Sequence, residues 1–383
     1  IDIALIGGGI AGLWTLNQLR NRGYSAVLFE QAALGSEQTI GSQGMIHGGI
    51  KYALGGALSG GSEASAAMPD TWRACLRGEG PVDLSGCRVL SDDFYLWSSA
   101  GLQSRLTSFF ASKMLRGRVE KLAQPDYPAP LRNPAFRGQV YRLVDLVLDV
   151  PSVVTTLARR QREHIFSIDW AQANLDNEGG NASLALPGCT LRPRRLLLTA
   201  GTGNEDLIRR LGGDQPAMQR RPLQQVLLKH QYREPLYAHC LGSNPTPRLT
   251  ISTHHTRGGD PVWYLGGDLA ESADSDPQAL IRRAREELDE LLPWIDFGNC
   301  EWATTRLDRA EPRQSSLLRP DRAFVGRVDC VDNTLAAWPT KLTLSPDLAN
   351  EIQNRLDADG VAPQHSPDLA PLAHLPRPDI ATT

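Results

Sequence analysis

The sequence of 383 residues predicts an α/β fold with more than one domain, and three observations support this prediction. Strand-like and helix-like runs alternate at the start of the chain, as they do where βαβ units build a parallel sheet. A glycine motif follows the first strand directly and opens the first helix. The chain length favours two or three domains, at roughly 100 to 200 residues each.

The composition excludes several classes of protein. Hydrophobic residues make up 41% of the chain and glycines number 35, which is typical of a chain with a packed core and not of a disordered one. The 40 basic and 43 acidic residues leave a formal charge of -3, so no overall field draws the protein to nucleic acid. No apolar run reaches the roughly 18 residues that span a bilayer.

The cysteines and histidines do not predict a metal site. Six cysteines are scattered along the chain without C-x-x-C spacing, and no Cys/His cluster has the spacing of metal ligands. We therefore expect buried thiols and no bound metal. The chain starts with a strand at Ile1 and lacks the features of a signal peptide, which together with the cysteines predicts a cytoplasmic protein.

The first elements follow from the apolar pattern. Strands are predicted over residues 1–6 and 26–30, with a helix over residues 11–22 between them. Gly23 follows that helix, where glycine commonly ends one. Residues 35–67 are rich in glycine, serine and alanine, and a segment of this length inside a compact domain is usually a binding loop.

The character of the chain changes over residues 88–139, which is typical of an insertion. Alternating residues at 94–97 are followed by a basic helical stretch over 103–122 and a proline-rich loop at 125–134. The basic part, residues 105–121, fits either burial against a second domain, which we favour, or peripheral contact with the inner face of a membrane.

The remaining elements return to the opening fold and then build a second block. The proline-rich tail from Ala362 either packs or extends freely. The predicted elements are a helix at 150–163, a strand at 195–199, strands at 225–230, 249–253 and 263–265, a helix at 276–292, a strand at 334–337 and a helix at 345–356.

We expect these elements to form two domains. A discontinuous dinucleotide-binding domain of the Rossmann type is predicted over residues 1–82, 140–215 and 315–383. An inserted α+β substrate domain, built on an antiparallel sheet, is predicted over residues 83–139 and 216–314.

The glycine motif predicts a dinucleotide site. The run GGGIAG at residues 7–12 has the G-x-G-x-x-G form, and Glu30 ends the next strand 18 residues beyond Gly12. Gly7 permits the tight turn, Gly9 lets the backbone approach a pyrophosphate, and Gly12 lets the helix pack close to the strand. Glu30 is placed to accept hydrogen bonds from ribose hydroxyls. The motif alone does not separate FAD from NAD.

The run SQGMIHGGIKY at residues 42–52 favours FAD, because an NAD-binding unit does not need a long glycine-rich segment here. This run resembles the D-amino-acid oxidase and glycerol-3-phosphate dehydrogenase superfamily of flavoproteins, whose members carry a similar segment. Residues 196–203, LLLTAGTG, resemble the family's strand-A-x-G turn. Residues 338–343, WPTKLT, resemble its C-terminal turn at the flavin, although Trp338, Pro339 and Thr340 stand where the family usually has glycines.

The resemblance implies non-covalent or histidine-linked FAD and a hydride transfer from a small substrate to flavin N5. It places the cofactor contacts on both motifs, on the turn near residue 200 and on the C-terminal turn. The implied contacts are Gly7, Gly9, Ile10, Ala11, Gly12, Glu30, Gln31, Ser42, Gln43, Met45, His47, Gly48, Ala200, Gly201, Thr340, Lys341, Leu342 and Thr343.

Four residues are candidates for the substrate side. The family carries an anion-binding arginine in a late strand, and Arg306 is the candidate here, although Leu307 follows it in place of the usual proline. His47 is placed to take a proton, to pack beside the flavin or to carry it covalently. Lys51 either attracts an anionic substrate or caps its segment, and Tyr264 either lines the pocket or belongs to the core.

The leading hypothesis is an FAD-dependent dehydrogenase or oxidase that acts on the CH-NH or CH-OH group of a small amine, amino acid or hydroxy compound. Its substrate would be anionic or zwitterionic, and its electron acceptor oxygen, quinone or another carrier. The alternative is a flavin-binding protein with a degenerate pocket that serves as a binding or interaction module. An NAD-dependent dehydrogenase is disfavoured by the C-terminal turn.

Overall fold

The structure is a computed structural model that describes residues 1–49, 65–99, 119–242, 244, 246–271, 276–313, 322–364 and 367–382. Its α-helices within these ranges are α1 (Ile10–Asn21), α2 (Met68–Leu76), α3 (Val150–Arg160), α4 (Asn204–Arg210), α5 (Pro277–Leu291) and α6 (Ser345–Ala358). Its strands within the same ranges are β1 (Ile3–Ile6), β2 (Ala26–Glu30), β3 (Met45–Ile46), β4 (Val89–Ser91), β5 (Phe94–Ser98), β6 (Val119–Lys121), β7 (Gln139–Leu143), β8 (Leu146–Leu148), β9 (Ile165–Ser167), β10 (Asn174–Glu178), β11 (Asn181–Leu186), β12 (Cys189–Leu191), β13 (Arg195–Leu198), β14 (Met218–Lys229), β15 (Tyr237–Leu241), β16 (Leu249–His255), β17 (Pro261–Gly266), β18 (Glu301–Pro312), β19 (Phe324–Arg327) and β20 (Thr334–Trp338).

The first sheet, here called the parallel sheet, has the order β19-β20-β13-β1-β2-β9 among the described residues. Its strands run parallel except for β19, which is antiparallel to β20. Strands β1 and β2 are buried on both faces, as continuous apolar runs in parallel sheets usually are. Helix α1 connects them and ends before Gly23, which has a φ of +89°. The predicted α/β fold is confirmed here, and the predicted strand at 26–30 has the predicted bounds.

The second sheet, here called the large sheet, has the order β18-β14-β17-β16-β15-β5-β7-β6 among the described residues. Its described pairs are antiparallel, as predicted, except for the parallel pair of β15 and β5. Helix α5 covers one face, where Leu280, Ala284 and Leu288 share a core with Val226 and Trp263. The division of the chain into two domains with the stated boundaries stays a prediction.

Two predicted elements differ from the structure. The strand predicted over residues 225–230 begins seven residues earlier, since β14 pairs with β18 from Met218 to Lys229. The first half of β14 contains arginines and a proline, which interrupt the apolar pattern that predicts a strand. Residues 119–121, at the end of the helix predicted over 103–122, form strand β6 on the edge of the large sheet instead. Most of that basic stretch lies outside the described residues.

The proline-rich tail packs against the parallel sheet. Leu372 and Leu375 are buried in the same core as Val27 and Phe166. The guanidinium of Arg377 lies 4.1 Å from the centre of the Phe166 ring. None of the helices that the structure describes has the length and apolar character required to span a bilayer.

His230, at the end of β14, makes stability depend on pH. It is 4% exposed, and burial beside the Trp263 ring lowers its pKa from its usual value to about 4. Between this pH and the ordinary histidine pKa of about 6.5, the unfolded chain binds a proton that the folded chain excludes. The free energy of unfolding should therefore be highest above pH 6.5 and fall as the pH is lowered toward 4.

We expect His230→Leu to weaken that acid dependence without removing it, because burial also lowers the pKa of His254 to about 4. Melting temperatures of the wild type and the variant, measured from pH 7.5 to 4.5, test this. The wild type should lose more of its melting temperature than the variant over this range. Parallel curves for the two proteins would show that His230 is not responsible.

Candidate functional site

A cavity of about 1120 Å³ lies between the carboxyl ends of the parallel sheet and one face of the large sheet. Ligands of open α/β sheets bind at these strand ends. The volume exceeds the range of about 300 to 1,000 Å³ that is usual for small ligands, so the cavity can hold a dinucleotide and a small substrate together.

The glycine motif forms one end of the cavity. A Cβ on Gly7, whose φ is +112°, would lie 2.5 Å from the Ala200 backbone, and a Cβ on Gly12 would lie 2.0 Å from the Gly7 carbonyl oxygen. Both positions are closed to a side chain by the packing of strand against helix. A Cβ on Gly9 would meet only the Thr39 hydroxyl, at 3.2 Å, so Gly9 keeps the cavity wall open.

Helix α1 begins beside this wall. No side chain caps it, although the Ile10 amide donates to the Thr39 hydroxyl at 3.0 Å. A helix start of this kind presents amide donors and positive dipole to an anion. Ile10 and Ala11 line the cavity, whereas Gly12 lies behind the wall in its predicted packing role.

Glu30 lies at the end of β2 with its carboxylate held in place. Its two oxygens accept hydrogen bonds from the Gly8 and Ala32 amides at 2.6 and 2.7 Å. The side chain is buried and lines the cavity together with Gln31. A carboxylate oxygen accepts more than one hydrogen bond, so the Glu30 oxygens retain capacity for a ligand hydroxyl.

The second glycine-rich segment and the C-terminal turn meet on the far side of the cavity. The Thr343 hydroxyl accepts from the His47 amide and donates to the Met45 carbonyl, both at 3.2 Å. Ser42, Gln43, Met45 and His47 line the cavity, as do the four residues of the turn, Thr340, Lys341, Leu342 and Thr343. The structure therefore brings these two predicted segments together.

Gly48 departs from its predicted role. It does not belong to the cavity lining, and its amide donates to the buried Asp145 carboxylate at 2.8 Å. Lys51 lies outside the described residues.

Sequence reasoning missed Asn204. This residue is fully buried, its Oδ1 accepts from the Ala200 amide at 2.7 Å and its Nδ2 donates to the Ala337 carbonyl at 3.2 Å. It joins the predicted turn of Ala200 and Gly201, which lines the cavity, to the end of β20. Asparagine is common at helix starts, where its side chain caps the helix. The position of Asn204 directly after the glycines at 201 and 203 is therefore the sequence signal that could have indicated this role.

The structure contradicts the predicted anion-binding role of Arg306. Arg306 is exposed and does not line the cavity, whereas Leu307 and Arg309 do. Successive side chains of a strand point to opposite faces of the sheet. Arg306 opposes Gln224 on β14, and this face of the sheet carries core residues such as Val226 under α5.

Tyr264 does not belong to the cavity lining either. Its ring packs against His254 with 4.3 Å between ring centres, and burial raises the pKa of its hydroxyl. Only its backbone carbonyl faces the predicted cofactor segment, where it accepts from Gln43 Nε2 at 2.9 Å. Tyr264 therefore supports Gln43 through its backbone, and its side chain lies outside the cavity lining.

The arginines of β14 and β18 that line the cavity lie beside carboxylates, and Arg220 is the most loosely paired of them, at 4.0 Å from Glu205. Arg221 Nε donates to Glu311 Oε1 at 2.9 Å. Arg309 forms two hydrogen bonds with Glu271, at 3.2 and 2.9 Å. Each of these arginines is thus neutralised by a carboxylate, and the two pairs contribute no net charge to the cavity.

The residues present fit FAD. A Cβ would fill the cradle at Gly9, and the Glu30 carboxylate stands beside it at the end of the neighbouring parallel strand. The Ser42 hydroxyl is buried in the cavity wall without a hydrogen-bond partner among the described residues, as expected where a ligand completes the site. The described residues contain no cluster of His, Cys, Asp or Glu suited to a metal ion.

Known proteins resemble this chain along its length. The family model described as FAD dependent oxidoreductase, DAO, matches residues 2–337. A protein of Pseudomonas aeruginosa named probable FAD-dependent oxidoreductase is 51% identical over 383 residues, covering 99% of this chain and 96% of that protein.

Solved structures give the same result for the fold. The crystal structure of the FAD dependent oxidoreductase from Pseudomonas aeruginosa superposes with a TM-score of 0.86 at 45% identity, covering 100% of this chain and 96% of that one. Glycine oxidase from Geobacillus kaustophilus superposes with a TM-score of 0.67 at 16% identity, covering 97% of both chains.

Proposed function

We propose that this chain, which belongs to the DAO family of FAD-dependent oxidoreductases, oxidises the CH-NH group of a small amino acid or amine. FAD, when bound, supplies the hydride acceptor for this chemistry. The protein binds FAD and the substrate, orients them and supplies the charged groups around them.

The balanced charge of the cavity face is the observation that carries this proposal. The pairs Arg221–Glu311 and Arg309–Glu271 offer positive and negative groups side by side. Such a face suits a zwitterion, whose opposite charges each find a counterpart. A phosphate dianion would have to draw Arg221 away from Glu311, which leaves the buried Glu311 carboxylate without its partner.

The cofactor would be held by four groups of residues. The backbone at Gly9 and the start of α1 would hold the pyrophosphate, and Glu30 the ribose hydroxyls. The turn at Ala200 and Gly201 would contact the adenosine part of FAD. Lys341, Leu342 and Thr343 would hold the ring edge with backbone amides and a cationic side chain.

His47 stands at the meeting point of the two ring-side segments. It is 7% exposed, lines the cavity and has its amide fixed by Thr343. In this position its imidazole would orient the substrate or accept a proton from the reacting amine. The electron acceptor would be oxygen, a quinone or another carrier, reached once the substrate has left.

Anaerobic reduction of the purified protein tests the proposal. We expect the yellow colour of bound, oxidised FAD to bleach with at least one member of a panel of free and N-methylated amino acids and simple amines. Glycerol 3-phosphate and 2-hydroxy acids at the same concentration should leave it unchanged. Bleaching by glycerol 3-phosphate or a hydroxy acid alone would point to CH-OH chemistry, and no bleaching at all would favour the binding-module alternative.

A further inference from the structure

Gln225 is a buried polar side chain in the cavity wall whose hydrogen bonding is incomplete. The residue is 3% exposed, and its Oε1 has no hydrogen-bond partner among the described residues. It lines the cavity from β14. Buried polar atoms in folded proteins are nearly always paired, so an unpaired acceptor at a cavity is a site for a water molecule or for a donor group of a ligand that displaces it.

The register of the large sheet determines which residues flank Gln225. Gln225 opposes Thr305 on β18, and the pairing of Val226 with Leu265 places Gly266 beside it on the other flank. Gly266 has no side chain to offer. A Cβ there would approach Gln43 Oε1 to 2.9 Å, so the Gln43 side chain already occupies the space over Gly266.

Two further polar residues of this row, Thr250 and His239, are paired with each other. Thr250 opposes Gly266, and His239 opposes Thr250. The Thr250 hydroxyl and His239 Nδ1 lie 2.8 Å apart in a hydrogen bond. Gln225 is therefore the member of the row that faces the cavity with an acceptor to spare, next to the segment that would carry the flavin ring.

We propose that Gln225 Oε1 accepts a hydrogen bond from the substrate and selects molecules that carry an N-H donor beside the reacting carbon. The nature of that donor, an amine, rests on the proposed function. An amide oxygen fixed in a buried wall discriminates strongly, because a ligand without the donor leaves it unpaired again.

Two planar probes of equal shape test this without turnover. Pyrrole-2-carboxylate has a ring N-H beside its carboxylate, and 2-furoate has a ring oxygen in its place. Binding of each is followed by the change in the absorbance spectrum of the FAD-loaded protein. The wild type should bind pyrrole-2-carboxylate roughly 10- to 100-fold more tightly than 2-furoate, as expected for one such hydrogen bond.

The variants separate this contact from a general defect. Gln225→Leu should reduce the preference to within about threefold, and Gln225→Glu, which keeps an acceptor, should retain it. Gln224→Leu is the matched control, because Gln224 is equally buried on the opposite face of the same strand and does not line the cavity. FAD content and melting temperature establish that each variant is folded.

The outcomes distinguish the two proposals. A wild type that binds neither probe, binds both equally or prefers 2-furoate overturns the role of Gln225, as does an undiminished preference in Gln225→Leu. The proposed function depends instead on flavin reduction by amino acids or amines. Reduction by these substrates together with an unchanged probe preference would leave the function standing and remove Gln225 from it.

Discussion

Gly9→Val should yield folded protein without bound FAD. The backbone at Gly9 has a φ of -73° and a ψ of -174°, which valine adopts readily. Its Cβ would meet only the Thr39 hydroxyl, at 3.2 Å, and a small shift of that side chain accommodates it. The two methyl groups would then occupy the wall that the pyrophosphate must approach. We expect the affinity for FAD to fall by at least roughly 100-fold, or ~3 kcal/mol.

The absorbance of the purified variant near the flavin bands and a titration with FAD measure this effect. Gly12→Ala provides the contrast, because its Cβ would lie 2.0 Å from the Gly7 carbonyl oxygen and must disturb the fold itself. Gly258→Val, in a surface turn where a Cβ would meet Thr256 at 3.6 Å, is the control with normal FAD binding. A yellow Gly9→Val protein of normal FAD content would contradict the assigned cofactor site.

The parts of this molecule that sequence predicts well are those determined by neighbouring residues. The strand at 26–30 and the start and end of α1 follow from apolar runs and glycines within a few positions. The cofactor segments at 42–47 and 340–343 were predicted from their resemblance to a family. Their contact through Thr343 joins residues about 300 positions apart, and no local pattern indicates it.

The substrate side was harder to predict because it depends on strand register. A shift of one residue along a strand moves every side chain to the other face. Arg306 is predicted to face the cavity, yet the pairing of β18 with β14, some 80 positions away, places Arg309 on the cavity face and Arg306 on the other face. The same register places Gln225 on the cavity face, whereas its neighbour Gln224 points to the opposite face of the sheet.

Asn204→Leu should both destabilise the protein and weaken its hold on FAD. The substitution removes Asn204 Oδ1, which accepts from the Ala200 amide, and Asn204 Nδ2, which donates to the Ala337 carbonyl. Asn204 is fully buried. Two unsatisfied backbone groups at about 1 to 3 kcal/mol each predict a loss of about 2 to 5 kcal/mol in the free energy of unfolding. The ends of β13 and β20 would also lose their fixed separation beside the cofactor.

Asn333→Leu is the matched control for this second effect. Asn333 is also buried and binds backbone in a comparable way, but its partners Ala182 and Pro193 do not line the cavity, whereas the partners of Asn204 do. Both variants should lower the denaturant midpoint, whereas only Asn204→Leu should raise the dissociation constant of FAD in the fraction that remains folded. An equal loss of FAD affinity in both would mean that Asn204 stabilises the fold as a whole and does not position the cofactor turn.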